Sequence, residues 1–166
     1  MTVKANRDLA GESANAKAAR TAKWATTMTK WRIAFDTGGR TIGSRTIRRA
    51  VRWQIVTFAG EQGSESRGIV DFVAIRKNHH HESAILRRGD LFEIVIVQVK
   101  GGSARWPSGN DLQRLRAVGH RYHAKAVVLA EWKKGRAPQF YTLSRTQPKG
   151  DPRAAWKAVD PGQLFK

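Results

Sequence analysis

Three polar side chains interrupt the most apolar part of this sequence. Asp71 lies within residues 68–75, which read Gly-Ile-Val-Asp-Phe-Val-Ala-Ile, and Gln98 and Lys100 lie within residues 92–100, which read Phe-Glu-Ile-Val-Ile-Val-Gln-Val-Lys. Both runs are dense in β-branched residues, which is typical of central strands buried on both faces. Gln98 and Lys100 are two positions apart, so their side chains leave a strand on the same face. Because burying an acid, an amide and an amine is costly unless they interact with one another or with a metal ion, these residues indicate a site.

This arrangement resembles the PD-(D/E)XK nuclease superfamily, which has the restriction-endonuclease-like fold. In that superfamily an aspartate near the start of one strand is followed by a hairpin, and then by an acid or amide, an apolar residue and a lysine. Asp71, Gln98, Val99 and Lys100 stand at those positions here, and the resemblance covers roughly residues 53–143. It implies an α/β fold with an αβββαβ core, in which helices flank a central mixed sheet. It also implies a nuclease that uses Mg²⁺ or Mn²⁺ to hydrolyse phosphodiester bonds, with DNA as the expected substrate.

The resemblance also implies a role for each residue of the motif. Asp71 and Gln98 would bind the divalent metal ion, and Lys100 would position and activate the attacking water. The sequence departs from the family pattern at Gln98, where Glu is usual and glutamine is a minority form. It departs again at Val70, where the motif has proline.

The charge of this set predicts a further metal ligand. Asp71 and a neutral Gln98 supply one formal negative charge, whereas hard cations usually gather more oxygen charge. Glu65 is the candidate to complete the catalytic and metal-binding set, with the Val99 carbonyl as the other option and Glu61 as a second acid. The alternative is that both glutamates are solvated loop residues.

Basic side chains on a short predicted helix are candidates for binding nucleic acid. Ser44 is a suitable N-cap for a helix over residues 45–52. The helix has no acidic residue, so it lacks the carboxylate that many relatives contribute to the metal site. Its basic side chains form either a phosphate-binding surface or a solvated face: Arg45, Arg48, Arg49 and Arg52.

Two further groups of residues follow Lys100 along the chain. Gly101, Gly102 and Ser103 would permit a close approach between the backbone and a phosphate. In the superfamily, the helix after the lysine often contributes a polar residue to the site or to the phosphates. Gln113 and Arg114, on the helix predicted over residues 111–123, could serve here.

The formal net charge of +18 is unevenly distributed. Residues 57–100 hold six basic and six acidic side chains, whereas the segments on either side are strongly basic. The acids therefore gather around the proposed site, an arrangement that suits a polyphosphate backbone approaching a metal-binding centre. A membrane-surface or ribosome-bound protein could be equally basic, so charge alone indicates only a polyanion ligand.

Composition also excludes several classes of site. The sequence has no cysteine, so disulfides, thiolate zinc sites and cysteine nucleophiles are excluded. No apolar run reaches the roughly 18 residues that a membrane-spanning helix needs. Lys and Arg also interrupt every candidate signal-peptide region near the N-terminus. We therefore expect a cytoplasmic protein with no membrane partner.

The predicted elements define one domain with basic extensions. We expect residues 1–22 to form a mobile or weakly helical basic arm, residues 23–145 the nuclease-like domain, and residues 146–166 a basic tail with at most one short helix. Residues 24–35 could dock on the core as either a helix or a strand. Apart from the two runs around the site, strands are predicted over residues 53–59, 125–132 and 139–144, and Ser108 or Asn110 caps the helix over 111–123.

Two other classes of protein stay open. One is a catalytically weak or inactive nucleic-acid-binding module on a nuclease fold. It would explain why Gln98 replaces the usual Glu and why the helix over residues 45–52 has no acidic residue. A structural polyanion binder would need Asp71 and Lys100 only as a buried pair that fixes strand register. The resemblance also implies a homodimer or a partner ATPase, and no stretch of the sequence identifies either.

Overall fold

The computed structural model describes residues 13–37, 53–60, 63–64, 68–146 and 150–165. Among the helices in these ranges, none combines the length and the apolar character needed to cross a bilayer. The elements in chain order are α1 (Ala14–Thr37), β1 (Gln54–Thr57), β2 (Ala59–Gly60), β3 (Gly63–Ser64), β4 (Phe72–Lys77), β5 (Phe92–Gly101), α2 (Gly109–Arg121), β6 (Ala126–Trp132), β7 (Gln139–Leu143), a 3₁₀ turn (Pro152–Ala155), β8 (Trp156–Val159) and α3 (Pro161–Leu164).

Six of the described strands form one open sheet in the order β1-β4-β5-β6-β7-β8, and β2 pairs separately with β3. Neighbouring strands of the large sheet are antiparallel except for β5 and β6, which are parallel. Parallel neighbours need a crossover connection, and α2 lies within the segment that joins β5 to β6. The described chain is therefore a mixed α/β fold, which confirms the predicted fold class at this level.

The central strands are apolar because both faces of the sheet are covered. On one face, Phe72 of β4 and Val97 of β5 belong to the same core cluster as Ile33 of α1. On the other face, Leu129 of β6 packs in a second cluster with Leu112 of α2. Since side chains alternate along a strand, odd-numbered positions of β5 face α1 and even-numbered positions face α2.

Helix α1 approaches the sheet through a narrow line of residues. Ala25, Thr29 and Ile33 are buried and recur every four positions. Gly101, at the end of β5, lies close beneath this line, because a Cβ at that position would come within 2.8 Å of the Ala25 Cβ. Most other side chains of α1 are exposed, so sequence periodicity does not distinguish helix from strand here. The helix also includes residues 14–22, which the sequence assigns to a basic arm.

Residues 150–165 are part of the folded core, which corrects the predicted basic tail. They form the 3₁₀ turn, β8 and α3, and their side chains Trp156, Leu164 and Phe165 are buried. The Trp53 indole Nε1 donates a hydrogen bond to the Phe165 carbonyl at 2.8 Å. Each of these three elements is only four residues long, too short for a periodic pattern to reveal it.

Helix α2 begins with reciprocal capping hydrogen bonds. The Ser108 Oγ accepts from the Asp111 N–H at 3.3 Å, and the Asp111 Oδ2 accepts from the Ser108 N–H at 2.9 Å. The hydrogen bonds from Ser108, first from its main-chain N–H and then from its hydroxyl, hold the pKa of Asp111 below its ordinary value. Ser108 is one of the two caps that the sequence predicts.

Replacing Ser108 with alanine should lower the free energy of unfolding by about 1 kcal/mol, because the Ser108 Oγ no longer accepts from the Asp111 N–H or donates to the Asp111 carboxylate. The ionised Asp111 stabilises the fold above its unfolded pKa of about 3.9, and this contribution is lost as the pH falls through its lowered folded pKa. Urea unfolding should therefore show the largest difference between variant and wild type near neutral pH and a smaller one in acid, where the bond from the Asp111 N–H to the Ser108 Oγ remains the main difference. The control is Ser103→Ala, at an exposed turn position. An equal loss in both variants would contradict the capping role.

Candidate functional site

Asp71, Gln98 and Lys100 lie together on the face of the sheet that α2 covers. The Asp71 N–H donates to the Val97 carbonyl at 3.0 Å, immediately before β4 begins. The register of β4 with β5 ends at the pair Phe72–Val97, and the positive charge of Lys100 acts on the Asp71 carboxylate just beyond that pair. Phe72 faces α1, and Asp71, one position earlier, therefore faces α2 together with the even-numbered Gln98 and Lys100.

The Asp71 carboxylate is held in place by the neighbouring strand. Its Oδ2 accepts a hydrogen bond from the Val99 N–H at 2.6 Å. Burial raises the pKa of Asp71, while this hydrogen bond and the positive charge of Lys100 partly offset the increase. The ionised form is therefore disfavoured here, and an additional positive charge beside it would stabilise it.

Gln98 contributes a buried oxygen that lacks a hydrogen bond. The residue is only 6% exposed, and no donor among the described residues reaches its Oε1. Such an unsatisfied carbonyl costs about 1–3 kcal/mol, so its presence calls for an explanation. The Val99 carbonyl lies nearby, because the N–H and C=O of one strand residue point to the same side, and the Val99 N–H points to Asp71.

Lys100 lies among several carboxylates. It is half-buried, and its positive charge contributes to lowering the pKa of Asp71 and of Asp111. Its register partner on β6 is Glu131, whose side chain is 14% exposed. The Glu131 Oε1 accepts a hydrogen bond from the Trp106 Nε1 at 3.0 Å. Lys100 and the largely buried Glu131 side chain therefore leave adjacent strands on the same face of the sheet.

Asp111 and Glu131 are site neighbours that sequence reasoning misses. Asp111 looks like an ordinary residue in the first turn of a helix, and only the packing of α2 brings it near Lys100. Glu131 carries a clearer signal, because it is a lone acid within the apolar strand Ala-Val-Val-Leu-Ala-Glu-Trp. The same reasoning that identifies Asp71 could have identified Glu131.

The donor set fits a hard divalent cation by the type of its atoms. Asp71, Gln98 and Val99 offer a carboxylate, an amide oxygen and a main-chain carbonyl, and Mg²⁺ and Mn²⁺ prefer oxygen ligands. The unsatisfied Oε1 of Gln98 supports this fit. In the part of the chain that the structure describes, no group of three or more His, Cys, Asp or Glu side chains could hold a metal ion.

Several predicted site residues lie outside the described residues. The third-ligand candidates Glu65 and Glu61 are among them, and so is the predicted helix over residues 45–52 with Arg45, Arg48, Arg49 and Arg52.

The glycines after Lys100 have a packing role. A Cβ at Gly101 would lie 3.1 Å from the Thr21 carbonyl, and one at Gly102 would lie 3.0 Å from the Thr21 Cγ2. Gly102 also has a φ of +63°, in the left-handed region that favours glycine. The close backbone approach predicted for a phosphate is thus used here by α1, while Ser103 is exposed in the turn.

Gln113 and Arg114 are exposed in the first half of α2. The Arg114 Nη1 lies 3.8 Å from the Asp111 Oδ1, an ion pair at the surface of the helix. Both residues therefore lie in the half of α2 that begins near Asp111, and their role at the site stays a prediction.

Comparisons with known proteins do not assign this chain to a family. No protein-family model matches the sequence, no curated protein is significantly similar to it, and no solved structure matches its fold significantly. The nuclease resemblance therefore stays a prediction.

Replacing Asp71 with asparagine should increase stability near neutral pH. The folded pKa of Asp71 lies above its unfolded value, so the folded chain binds the carboxyl proton more tightly than the unfolded chain does. As the pH rises through the raised pKa, ionisation of Asp71 therefore destabilises the fold. Asparagine keeps an oxygen that can accept from the Val99 N–H and removes the charge. Denaturation in EDTA should show an advantage for Asp71→Asn that disappears below about pH 4. Lower stability of the variant at neutral pH would instead favour the structural Asp–Lys pair.

Proposed function

We propose that this chain is a metal-dependent nuclease that hydrolyses phosphodiester bonds, with DNA as its main substrate. One observation carries the proposal. The Oε1 of Gln98 is unsatisfied, and the main-chain N–H of the next residue, Val99, holds the Asp71 carboxylate, whose charged form burial disfavours. A divalent cation would bind the unsatisfied Gln98 oxygen and would also stabilise the buried, ionised Asp71 carboxylate. Lys100, on the same face, provides the amine that the proposed chemistry requires.

The order of elements supports a restriction-endonuclease-like core. With the short pair β2–β3 set aside, the described chain runs α1, β1, β4, β5, α2, β6, which is the αβββαβ order. Asp71 lies immediately before the second of these strands, and Gln98 and Lys100 lie near the end of the third. This placement supports the proposed roles of Asp71, Gln98 and Lys100.

In the proposed mechanism, each residue has a defined task. Asp71, oriented by the Val99 N–H, and Gln98 would hold the cation through their side-chain oxygens. A bound Mg²⁺ would lower the pKa of water and offset the negative charge that develops in the transition state. Lys100 orients the attacking water and helps to remove its proton, or stabilises the hydroxide. The resemblance implies attack at phosphorus with cleavage of the P–O3′ bond, which leaves 5′-phosphate and 3′-hydroxyl ends.

Cleavage of single-stranded, duplex and branched DNA with Mg²⁺ or Mn²⁺, compared with EDTA, tests the proposal. We expect Lys100→Ala to reduce metal-dependent cleavage by about 100-fold or more, the typical contribution of a group that assists proton transfer. Asp71→Ala should abolish cleavage. DNA affinity should change little in either variant, because about thirty other cations remain. Lys23→Ala, at an exposed position on the opposite face of the sheet, controls for the lost charge. Cleavage by Lys100→Ala at the wild-type rate would show that the assignment is wrong.

Gln98→Glu should make metal binding tighter and the metal-free protein less stable. The new carboxylate adds a second formal negative charge beside Asp71, which attracts Mg²⁺ and repels the neighbouring acid in its absence. We expect half-maximal cleavage at a lower Mg²⁺ concentration, a lower melting temperature in EDTA, and recovery of that temperature when Mg²⁺ is added. Gln98→Ala is the matched control and should show no recovery. If Mg²⁺ fails to stabilise the Glu variant, Gln98 does not lie at a metal site.

A second candidate function is a nucleic-acid-binding module without turnover. It is favoured by the lack of a three-residue His, Cys, Asp or Glu cluster within the described ranges, together with the net charge of +18. This function predicts affinity that falls steeply as salt concentration rises, and no metal-dependent cleavage of any substrate. The same cleavage experiment separates the two functions.

A further inference from the structure

A cavity of about 600 Å³ lies where α2 ends, between the last turn of that helix, the start of β6 and the chain that follows β7. We call it the α2–β7 cavity. Gly119 allows the helix to approach β6 here, because a Cβ at that position would come within 2.6 Å of the Val127 Cγ2. The charged and imidazole side chains that the described residues contribute to the lining are all basic: Arg116, His120, His123, Lys125 and Arg145.

Arg116 is fixed in the wall of the cavity by main-chain carbonyls. Its Nε and Nη2 donate to the Ser144 carbonyl at 3.3 and 3.2 Å, and Nη2 also donates to the Thr146 carbonyl at 2.9 Å. The remaining nitrogen, Nη1, is buried and has no acceptor among the described residues. Because the carbonyls are neutral, these bonds orient the guanidinium without cancelling its charge, which acts on the space beside it.

His123 has a backbone conformation that glycine would adopt at lower cost. Its φ is +49°, and it directly follows Tyr122, the C-cap of α2. The His123 N–H donates to the His120 carbonyl at 3.1 Å, and the Ala124 N–H donates to the Gly119 carbonyl at 2.9 Å. These bonds form a Schellman motif, in which the residue after the C-cap is usually glycine. A histidine in this place costs stability, so a role for its imidazole would explain its presence.

The imidazoles of His120 and His123 lie side by side, with ring centroids 6.4 Å apart. Since N–H···O hydrogen bonds are about 2.9 Å long, this separation allows one oxyanion to accept from both rings. Cations near a helix C-terminus complement its dipole, which would account for His120 but not for Arg145, on the far side of the cavity. Lys125 contributes only its stem, because its Nζ binds the Glu93 Oε2 at 2.9 Å.

We propose that the α2–β7 cavity binds a phosphate of the nucleic-acid backbone. The inference rests on the nucleic-acid binding in the proposed function and adds a second contact to it. Arginine donors match the geometry of phosphate oxygens, and such contacts fix the register of a nucleic acid on a protein. Arg145 is exposed and would contact the phosphate together with the two imidazoles, while Arg116 adds its charge from the wall.

The position of the cavity narrows the substrate class. Helix α2 has 13 residues and is therefore about 20 Å long. Its first turn holds Asp111, whose carboxylate is stabilised by the positive charge of Lys100, and the cavity lies at its other end. Phosphates of one strand are spaced by about 3.4 Å along a duplex axis, so the two bound phosphates would be about six nucleotides apart. The substrate is therefore a polynucleotide that extends at least this far from the scissile bond.

The test measures binding in EDTA, so that cleavage plays no part. A labelled DNA duplex of roughly 20 base pairs, long enough to span both sites, is titrated at several salt concentrations. We expect Arg145→Ala to weaken binding by roughly 10-fold at low salt and to reduce the salt slope by about one. Arg121→Ala is the matched control, because it removes an exposed arginine from the last turn of α2 that is not among the described lining residues. Equal effects of the two variants would overturn the proposal.

A glycine variant separates binding from folding. His123→Gly suits the left-handed backbone, so it should raise the melting temperature by about 2–4 °C. The same variant loses an imidazole donor, so it should weaken DNA binding by about 5-fold. A more stable protein that binds DNA as tightly as the wild type would show that the imidazole serves no ligand.

Inorganic phosphate, at an ionic strength matched with chloride, distinguishes the nucleic-acid backbone from a free phosphate compound. If phosphate raises the melting temperature of the wild type but not of Arg145→Ala, while both bind DNA equally, the cavity takes a free phosphate compound and the proposal is wrong. The result is also independent of the nuclease assignment. Normal cleavage with equal DNA binding by Arg145→Ala and Arg121→Ala removes the cavity alone, whereas cavity-dependent binding without cleavage removes the nuclease alone.

Discussion

The hydrogen bond from the Val99 N–H to the Asp71 carboxylate determines the geometry of the candidate site. Strand β4 pairs with β5 only as far as Phe72 and Val97. Beyond that pair, the Val99 N–H of β5 donates to the side chain of Asp71, the residue before Phe72. The carboxylate thus takes the place of a strand partner. Because this bond fixes Asp71 against β5, it also fixes the separation of Asp71 from Gln98 and Lys100, which leave the same strand.

The same sheet contains an ion cluster of a different kind, and the contrast supports a functional role for Asp71. Burial alone would raise the pKa of Glu93, but hydrogen bonds from Lys125 and Arg76 hold it below its ordinary value. In that cluster the Glu93 carboxylate accepts hydrogen bonds from both basic side chains, as expected of a group that stabilises strand pairing. At Asp71 burial outweighs the favourable interactions, and the adjacent Gln98 oxygen has no donor among the described residues. Groups kept at a net cost are characteristic of binding and catalytic sites.

The sequence predicts the centre of this fold better than its margins, and packing explains the difference. Strands β4 to β7 and helix α2 are long apolar or amphipathic runs, so their periodicity identifies them, and the grouping of Asp71 with Lys100 follows from strand alternation. Residues 150–165 escape prediction because their elements are short and derive stability from the core that they complete. Helix α1 contacts the sheet through a line too narrow to dominate its pattern. Glu131 becomes a neighbour of Lys100 only through the register of β5 and β6, which local sequence does not encode.

The contact between Trp53 and Phe165 has a consequence for the order in which the chain can fold. These residues are 112 positions apart, yet their rings pack edge to face at 5.5 Å, and the indole donates to the Phe165 carbonyl. The apolar layer under α1 is therefore closed by a contact of very long sequence separation, whose loop entropy must be overcome before the contact forms. Until residues as late as Phe165 are available, that layer stays open to solvent. The cluster on the α2 side also contains Ala155 and Trp156, so the last part of the chain completes both faces of the sheet.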